Sequence, residues 1–248
     1  MSEEGVASSD GWRPVARSRA YELVVDQVEE QILAGALRVG DRLPGERELA
    51  ARLEVSRAAV REAMRTLEAQ GVVRAGVGSG PDAGTVVSAL PSAALTRLLR
   101  LHVALNNFAL HDVVEARVML ERYSARLAAD RPDPARLDEL RGSLEEMDGE
   151  TDRVAFNDLD TAFHIAIAEA GGNRLVADMT TAIRDSVRPA VLRSFEGLGD
   201  DWPAMAERLR REHRAIYAAV AAGDPAAATC LIEDHIRSAA EWLPGWAE

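Results

Sequence analysis

A nine-residue tract, GVGSGPDAG at positions 76–84, constrains the fold more than any other feature of the chain. Four glycines and a proline in nine positions exclude a helix interior, where each glycine costs about 1 kcal/mol and proline about 3. The tract is flanked by two β-prone pieces, Val72-Val73-Arg74 and Thr85-Val86-Val87. Short strands joined by a glycine-rich link predict a β-hairpin with a flexible tip. The residues before it are patterned for helix. Tyr21, Val24, Val28 and Ile32 recur at helical spacing within 18–34, and Gly35 and Gly40-Asp41 break the run. Leu43-Pro44-Gly45 precedes a short helical run at 46–53. Ser56 then suits the N-cap of a longer run, 57–70, which Gly71 ends.

Three helices followed by a hairpin within about 70 residues form the winged helix-turn-helix arrangement, placed at 18–89 after a tail, 1–17, expected to be disordered. Pro91 fits a domain boundary. Beyond it the pattern predicts helices at 92–105, 110–130, 134–148, 151–171, 173–195, 202–222 and 225–242, separated by turn-forming stretches such as Gly171-Gly172-Asn173 and Gly223-Asp224-Pro225. Hydrophobic residues make up 47% of the chain but aromatics only 4%, so its cores must be built from Leu, Val, Ile and Ala, a composition that favours helix. The expected fold is mainly α: a winged helix-turn-helix, then an all-α bundle over 92–242.

The net charge of −12 argues against a nucleic-acid binder until its distribution is considered. Residues 11–90 carry 11 arginines against 11 acids and are neutral, whereas 91–248 carry 18 against 27. The local field governs phosphate binding, and an acidic second half discourages indiscriminate attraction to DNA. The single cysteine, Cys230, excludes an intrachain disulfide; it is expected in the core. The acidic, polar opening MSEEGVASSDG predicts no secretory signal, and without an apolar run of about 18 residues no membrane span is expected. The expected location is cytoplasmic.

Arg57, Arg61 and Arg65 follow one another at intervals of four, which aligns three guanidiniums on one helix face behind a capped N-terminus. Such a face suits guanine edges and phosphates. It would equally suit surface pairing with Glu54, Glu62 and Glu68. The stretch LPGERELAARLEVSRAAVREAMRTLEAQGVV resembles the winged-helix signature of the GntR family, and the similarity runs from about Tyr21 to Ser88. The resemblance implies that Arg47 on the second helix and Ser56, Arg57, Ala58, Ala59 and Arg61 on the third contact double-stranded operator DNA. The wing tip at Val77, Gly78 and Ser79 would enter the minor groove. It also implies a homodimer on a near-palindromic operator. The sequence departs from the usual pattern at several points: Gly45 replaces a capping serine, and Ala58 and Ala59 replace a frequent Thr or Pro pair and cannot hydrogen-bond through their side chains. Glu54 stands where glycine is common, at a cost of about 1 kcal/mol if its φ is positive.

Four polar residues in the second half fall on or beside apolar stripes. Asp160 and His164 are one turn apart among Phe156, Phe163 and Ile167; His213 sits among Leu209, Ile216 and Val220; His235 lies near Leu231, Ala239 and Trp242. Buried polar groups need partners. One Asp and three His suit a divalent ion, and they also suit hydrogen-bonded core positions. DLDTAFH and EHRAIYAAVAAGDPAAATCLIEDH are similar to the FCD effector-binding domain of the FadR-like GntR subfamily, over about 92–240. That similarity implies that Asp160, His164, His213 and His235 hold a metal: zinc first, with nickel or manganese as alternatives. Arg117 borders the predicted stripe Val113, Ala116, Leu120, Tyr123, Leu127 and needs an anionic partner. The partner is either a protein carboxylate or, as the match to the EAR segment of that domain implies, a small carboxylate effector. Asn173 is expected to cap the helix that follows it.

The implied function is a ligand-responsive transcription regulator, repressor or activator, and not an enzyme. A metal-dependent hydrolase with a DNA-binding head and a regulator with a purely structural ion are the alternatives.

Overall fold

The computed structural model of the protein describes residues 19–76, 84–88, 91–105 and 107–242. The chain divides into two compact units, Met1–Leu90 and Pro91–Glu248. The predicted wing tip, Val77 to Ser79 with Gly78, and the N-terminal tail lie outside the described residues.

The first unit contains α1 (Arg19–Leu33), α2 (Glu46–Arg52), α3 (Arg57–Ala69) and an antiparallel hairpin of β1 (Val73–Gly76) and β2 (Gly84–Val87). The hairpin register pairs Val73 with Val87 and Gly76 with Gly84. Its core joins Val24 and Val28 of α1 to Leu49, Val60, Ala63 and Leu67 of the next two helices and to Val73 and Val87 of the strands. Ser56 caps α3 by accepting from Ala59 N at 3.1 Å. Gly45 gives α2 no side-chain cap. Glu54 is the one non-glycine among the described residues with a left-handed backbone, φ 54°. One feature had no signal in the sequence: Asp41 and Leu43 hydrogen-bond Val87 and Thr85, so the link after α1 adds a short rung to the wing.

The second unit is helical throughout: α4 (Pro91–Ala104), α5 (Leu110–Asp130), α6 (Pro134–Asp148), α7 (Arg153–Ala170), α8 (Arg174–Gly197), α9 (Trp202–Ala221) and α10 (Pro225–Ala240), with a 3-10 turn at Gly199–Asp201. The ends follow from capping chemistry. Asp133, Asp152, Asn173 and Asp224 each accept from backbone N–H groups in the first turn of α6, α7, α8 and α10. Helix α8 runs on past the expected end at 195 to Gly197, and Pro189 inside it is exposed, so the lost backbone donor faces solvent. Helix α5 is central and packs against α7, α8, α9 and α10, while α4 lies on α8. Where α7 ends, Gly171 approaches the Ser124 backbone so closely that a Cβ would stand 3.1 Å from its carbonyl oxygen. The core is aliphatic and alanine-rich, with Trp202, Phe156 and Phe163 the largest side chains in it.

Three expectations need correction. The buried face of α5 is broader than the expected stripe: it keeps Val113 but also takes in Val114, Arg117, Val118, Glu121, Ala125 and Ala128, so Arg117 lies within it and Tyr123 is exposed. Apolar residues occur nearly all round this helix, and periodicity alone cannot fix its orientation. Cys230 is exposed, because α10 turns Ala228, Ile232 and His235 inward instead. Trp242, just past α10, is half exposed.

Candidate functional site

In the first unit, Val60, Ala63 and Leu67 bury one face of α3, which leaves Arg57, Arg61 and Arg65 exposed on the other. Arg47, Ser56 and Ala58 are also exposed, and Ala59 is half buried. Arg61 is held by Glu46 of α2 at 3.1 Å and Arg65 by Glu62 at 3.4 Å; both pairs are solvated. Pairs of this kind contribute little to stability and exchange readily for another anion. Neither Glu54 nor Glu68 pairs with these arginines; Glu68 accepts from Ala75 N of the wing. Among the described residues no carboxylate within ion-pair distance engages Arg47 or Arg57.

In the second unit, three helices bring together residues far apart in sequence. Asp160 and His164 come from α7, His213 from α9 and His235 from α10, and the three imidazoles are at most 2% exposed. Their Nε2 atoms form a nearly equilateral triangle: His164 to His213 3.3 Å, His164 to His235 3.2 Å and His213 to His235 3.2 Å. Oδ1 of Asp160 lies 3.1 Å from His213 Nε2 and 3.9 Å from His164 Nε2. The remaining histidines stand apart: His102 bonds Asn107, and His111 lies beside Asp112.

The outer face of each ring is also engaged. His235 Nδ1 meets Glu212 Oε2 at 2.8 Å, and His164 Nδ1 lies 2.5 Å from Glu121 Oε2, a close charge contact away from ideal hydrogen-bond angles. His213 Nδ1 faces the Met147 sulfur at 3.2 Å. A ring that keeps its proton on Nδ1 for a carboxylate turns its Nε2 lone pair inward. Burial pushes the His213 imidazole down to about 4, with His235 adding to the effect, and burial with Arg184 drives His164 well below its ordinary value. Burial alone would raise Asp160, but Arg184 and a hydrogen bond to His213 hold its carboxyl well below the usual range.

Three converging imidazole nitrogens beside a carboxylate, with His164 and His213 held in the neutral form by burial, are the kind of donor set that a divalent cation requires. Three nitrogens about 3.2 Å apart also have the spacing of ligand atoms held about 2 Å from one centre. Asp160, His164, His213 and His235 therefore form a group able to hold a metal ion.

Arg117, which the α5 pattern singled out, and Arg184, which no pattern marked, complete the charged interior. Arg117 donates through Nε to Glu121 at 2.7 Å. Arg184 donates to Glu121 at 2.9 Å and to Asp160 Oδ2. The two cations and two anions cancel, so a bound divalent ion would leave this pocket with a net charge of +2. Glu121 could have been suspected from its position one turn after Arg117; Arg184 had no such signal, since its partners lie 63 and 24 residues away. A cavity opens beside the cluster and is lined by Arg117, Asp160, Arg184 and His235 among others. The buried amide nitrogen of Asn157, which also lines it, has no partner.

Comparison with known proteins adds to this geometry. Residues 112–238 match the FCD domain, and residues 20–81 match the bacterial regulatory proteins of the gntR family. The chain is 31% identical over 219 residues to the HTH-type transcriptional regulator LutR of Bacillus subtilis, covering 86% of this chain and 96% of that one. It is 29% identical over 223 residues to the Glc operon transcriptional activator of Escherichia coli strain K12, covering 88% and 86%. Over 256 residues it is 30% identical to the transcriptional repressor NanR of Klebsiella aerogenes, covering 97% and 92%. A solved structure, Streptococcus agalactiae GntR, superposes with TM-score 0.58 at 26% identity over 88% of this chain and 97% of that one.

Proposed function

The chain belongs to the GntR family of bacterial regulatory proteins and carries an FCD domain, and from that premise we propose that it is a DNA-binding regulator whose operator affinity is set by a small carboxylate bound beside a divalent ion. The observation that carries the reading is the inward convergence of three imidazoles and Asp160 at the edge of a cavity that Arg117 also lines.

In this reading Asp160, His164, His213 and His235 hold the ion, with zinc the first choice and nickel or manganese the alternatives for a nitrogen-rich set with one carboxylate. The ion supplies positive charge and open coordination positions to a carboxylate. Glu121 and Glu212 orient two of the rings. Arg117 meets the carboxylate with the part of its guanidinium that Glu121 does not occupy. In the first unit, Arg57 reads a base edge, Arg47 and Arg61 combine base and phosphate contacts, the α3 N-terminus at Ser56 receives a phosphate, and Ala58 and Ala59 pack on thymine methyls. Two copies on a near-palindromic operator would present two such faces to successive half-sites. Coupling between the units requires that the carboxylate bind the DNA-competent and DNA-incompetent states unequally. Relatives bear the names of both activators and repressors, so either sign of response fits the family.

The test is chelation followed by reconstitution. Purified protein should contain about one equivalent of transition metal, and removal should lower both its melting temperature and its affinity for carboxylates, with recovery on adding zinc. A melting shift without any change in carboxylate binding would favour a structural ion instead.

A further inference from the structure

Resting on the reading above, we infer that the effector is a monocarboxylate carrying an apolar tail of several carbons. The directions of the helices carry the argument. From Arg184, which grips Asp160 and Glu121, α8 lines the cavity with Val187, Val191 and Phe195, positions i+3, i+7 and i+11 on one helix face. Helix α9 approaches His213 past Met205 and Leu209, eight and four residues earlier, and both line the same cavity. Helix α10 leaves His235 with Ala239 one turn on. Three helices thus carry the cavity away from the charged end between apolar walls. At 1.5 Å per residue, the stretch from His213 to Met205 covers about 12 Å.

Unused hydrogen-bonding capacity collects at the other end. Asn157 Nδ2 and Arg184 Nε are buried without partners, and both residues line the cavity with Arg117. They stand within one turn of Asp160 or in contact with it. Along the apolar stretch the hydroxyl of Ser194 already donates to the Ala190 carbonyl at 3.1 Å. An acid bearing hydroxyls along its chain would have to bury most of them against Val187, Val191 and Leu209, with only the hydroxyls of Thr161 and Ser194 in the lining to meet them, a costly transfer for the rest. A carboxylate head with a hydrocarbon tail satisfies both ends.

The experiment is a calorimetric series on the zinc-loaded full-length chain: acetate, butanoate, hexanoate and octanoate, with glycolate and gluconate as hydroxylated acids and hexanol as a neutral control. Burial of a methylene predicts about a fourfold gain per carbon, so hexanoate should bind on the order of a hundredfold more tightly than acetate, and gluconate more weakly than butanoate. Ala239→Phe, checked for an unchanged melting temperature, should erase the gain with chain length while leaving acetate affinity intact. Acetate and glycolate binding with no gain along the series would overturn this inference and leave the carboxylate reading standing. Hexanol binding as tightly as hexanoate, or binding that survives chelation, would overturn the carboxylate reading and the inference with it. Binding by none of these ligands would also sink both.

Discussion

The two units keep their chemistry in opposite places. In the first, the informative side chains stand outside: Arg57, Arg61 and Arg65 lie on the solvated face of one helix, backed by a small aliphatic core. In the second, they are inside: Asp160, His164, His213 and His235 come from three helices and are enclosed with Glu121, Arg117 and Arg184. An exposed face needs only one helix to be right. A buried cluster of this kind needs five helices in register, and each charge in it must be matched because water cannot screen it. Substitutions should therefore cost the first unit binding and the second unit stability.

The sharpest break in that contrast is Glu121→Ala. It removes the anion shared by Arg117, Arg184 and His164, and loss of one partner of a buried network costs about 3–5 kcal/mol. The C-terminal unit should melt at a markedly lower temperature by calorimetry. A change below about 1 kcal/mol would show that the network is wetter than its burial indicates.

Next in size is Arg57→Ala, expected to weaken operator binding about ten- to hundredfold in a gel-shift or anisotropy titration, with no change in metal content or melting. Equal loss on specific and random DNA would reassign Arg57 from base reading to phosphate contact.

Acidification should separate the units without mutation. His213 titrates near 4 when folded and near 6.5 when unfolded, so between those values the unfolded chain binds the extra proton and stability falls as pH falls. Asp160, held low in the fold, adds to the loss from below its ordinary value downward. Metal-free protein should show its C-terminal transition shifting down from pH 6.5 to 4, with the N-terminal transition changing less.

The smallest expected effect is Glu54→Gly. Its left-handed φ of 54° should make glycine more stable by about 0.5–1 kcal/mol, read in the N-terminal melting transition alone.

Much of the molecule was legible before any coordinates. Hydrophobic period and capping residues located every α-helix among the described residues, with ends usually within a residue or two, because both act over one or two turns of chain. The four candidate ligands stood out because polar residues on apolar stripes are conspicuous, and Glu54 because the family that the segment resembles commonly has glycine at that place. Sequence alone could not orient α5, whose near-continuous apolar surface gives no unique inward face, and so Arg117 was placed at a border and not in the interior.

Sequence alone thus determined which segments are helix, where the hairpin lies and which residue types are available for chemistry, all properties of short-range geometry. Only the tertiary structure decided that Arg184 clamps Asp160 and Glu121, that Glu212 holds His235, and that an apolar chamber extends from the charged end. Those contacts join residues 23 to 63 positions apart. They depend on how helices are rotated and stacked, which is set by the summed packing of the whole core.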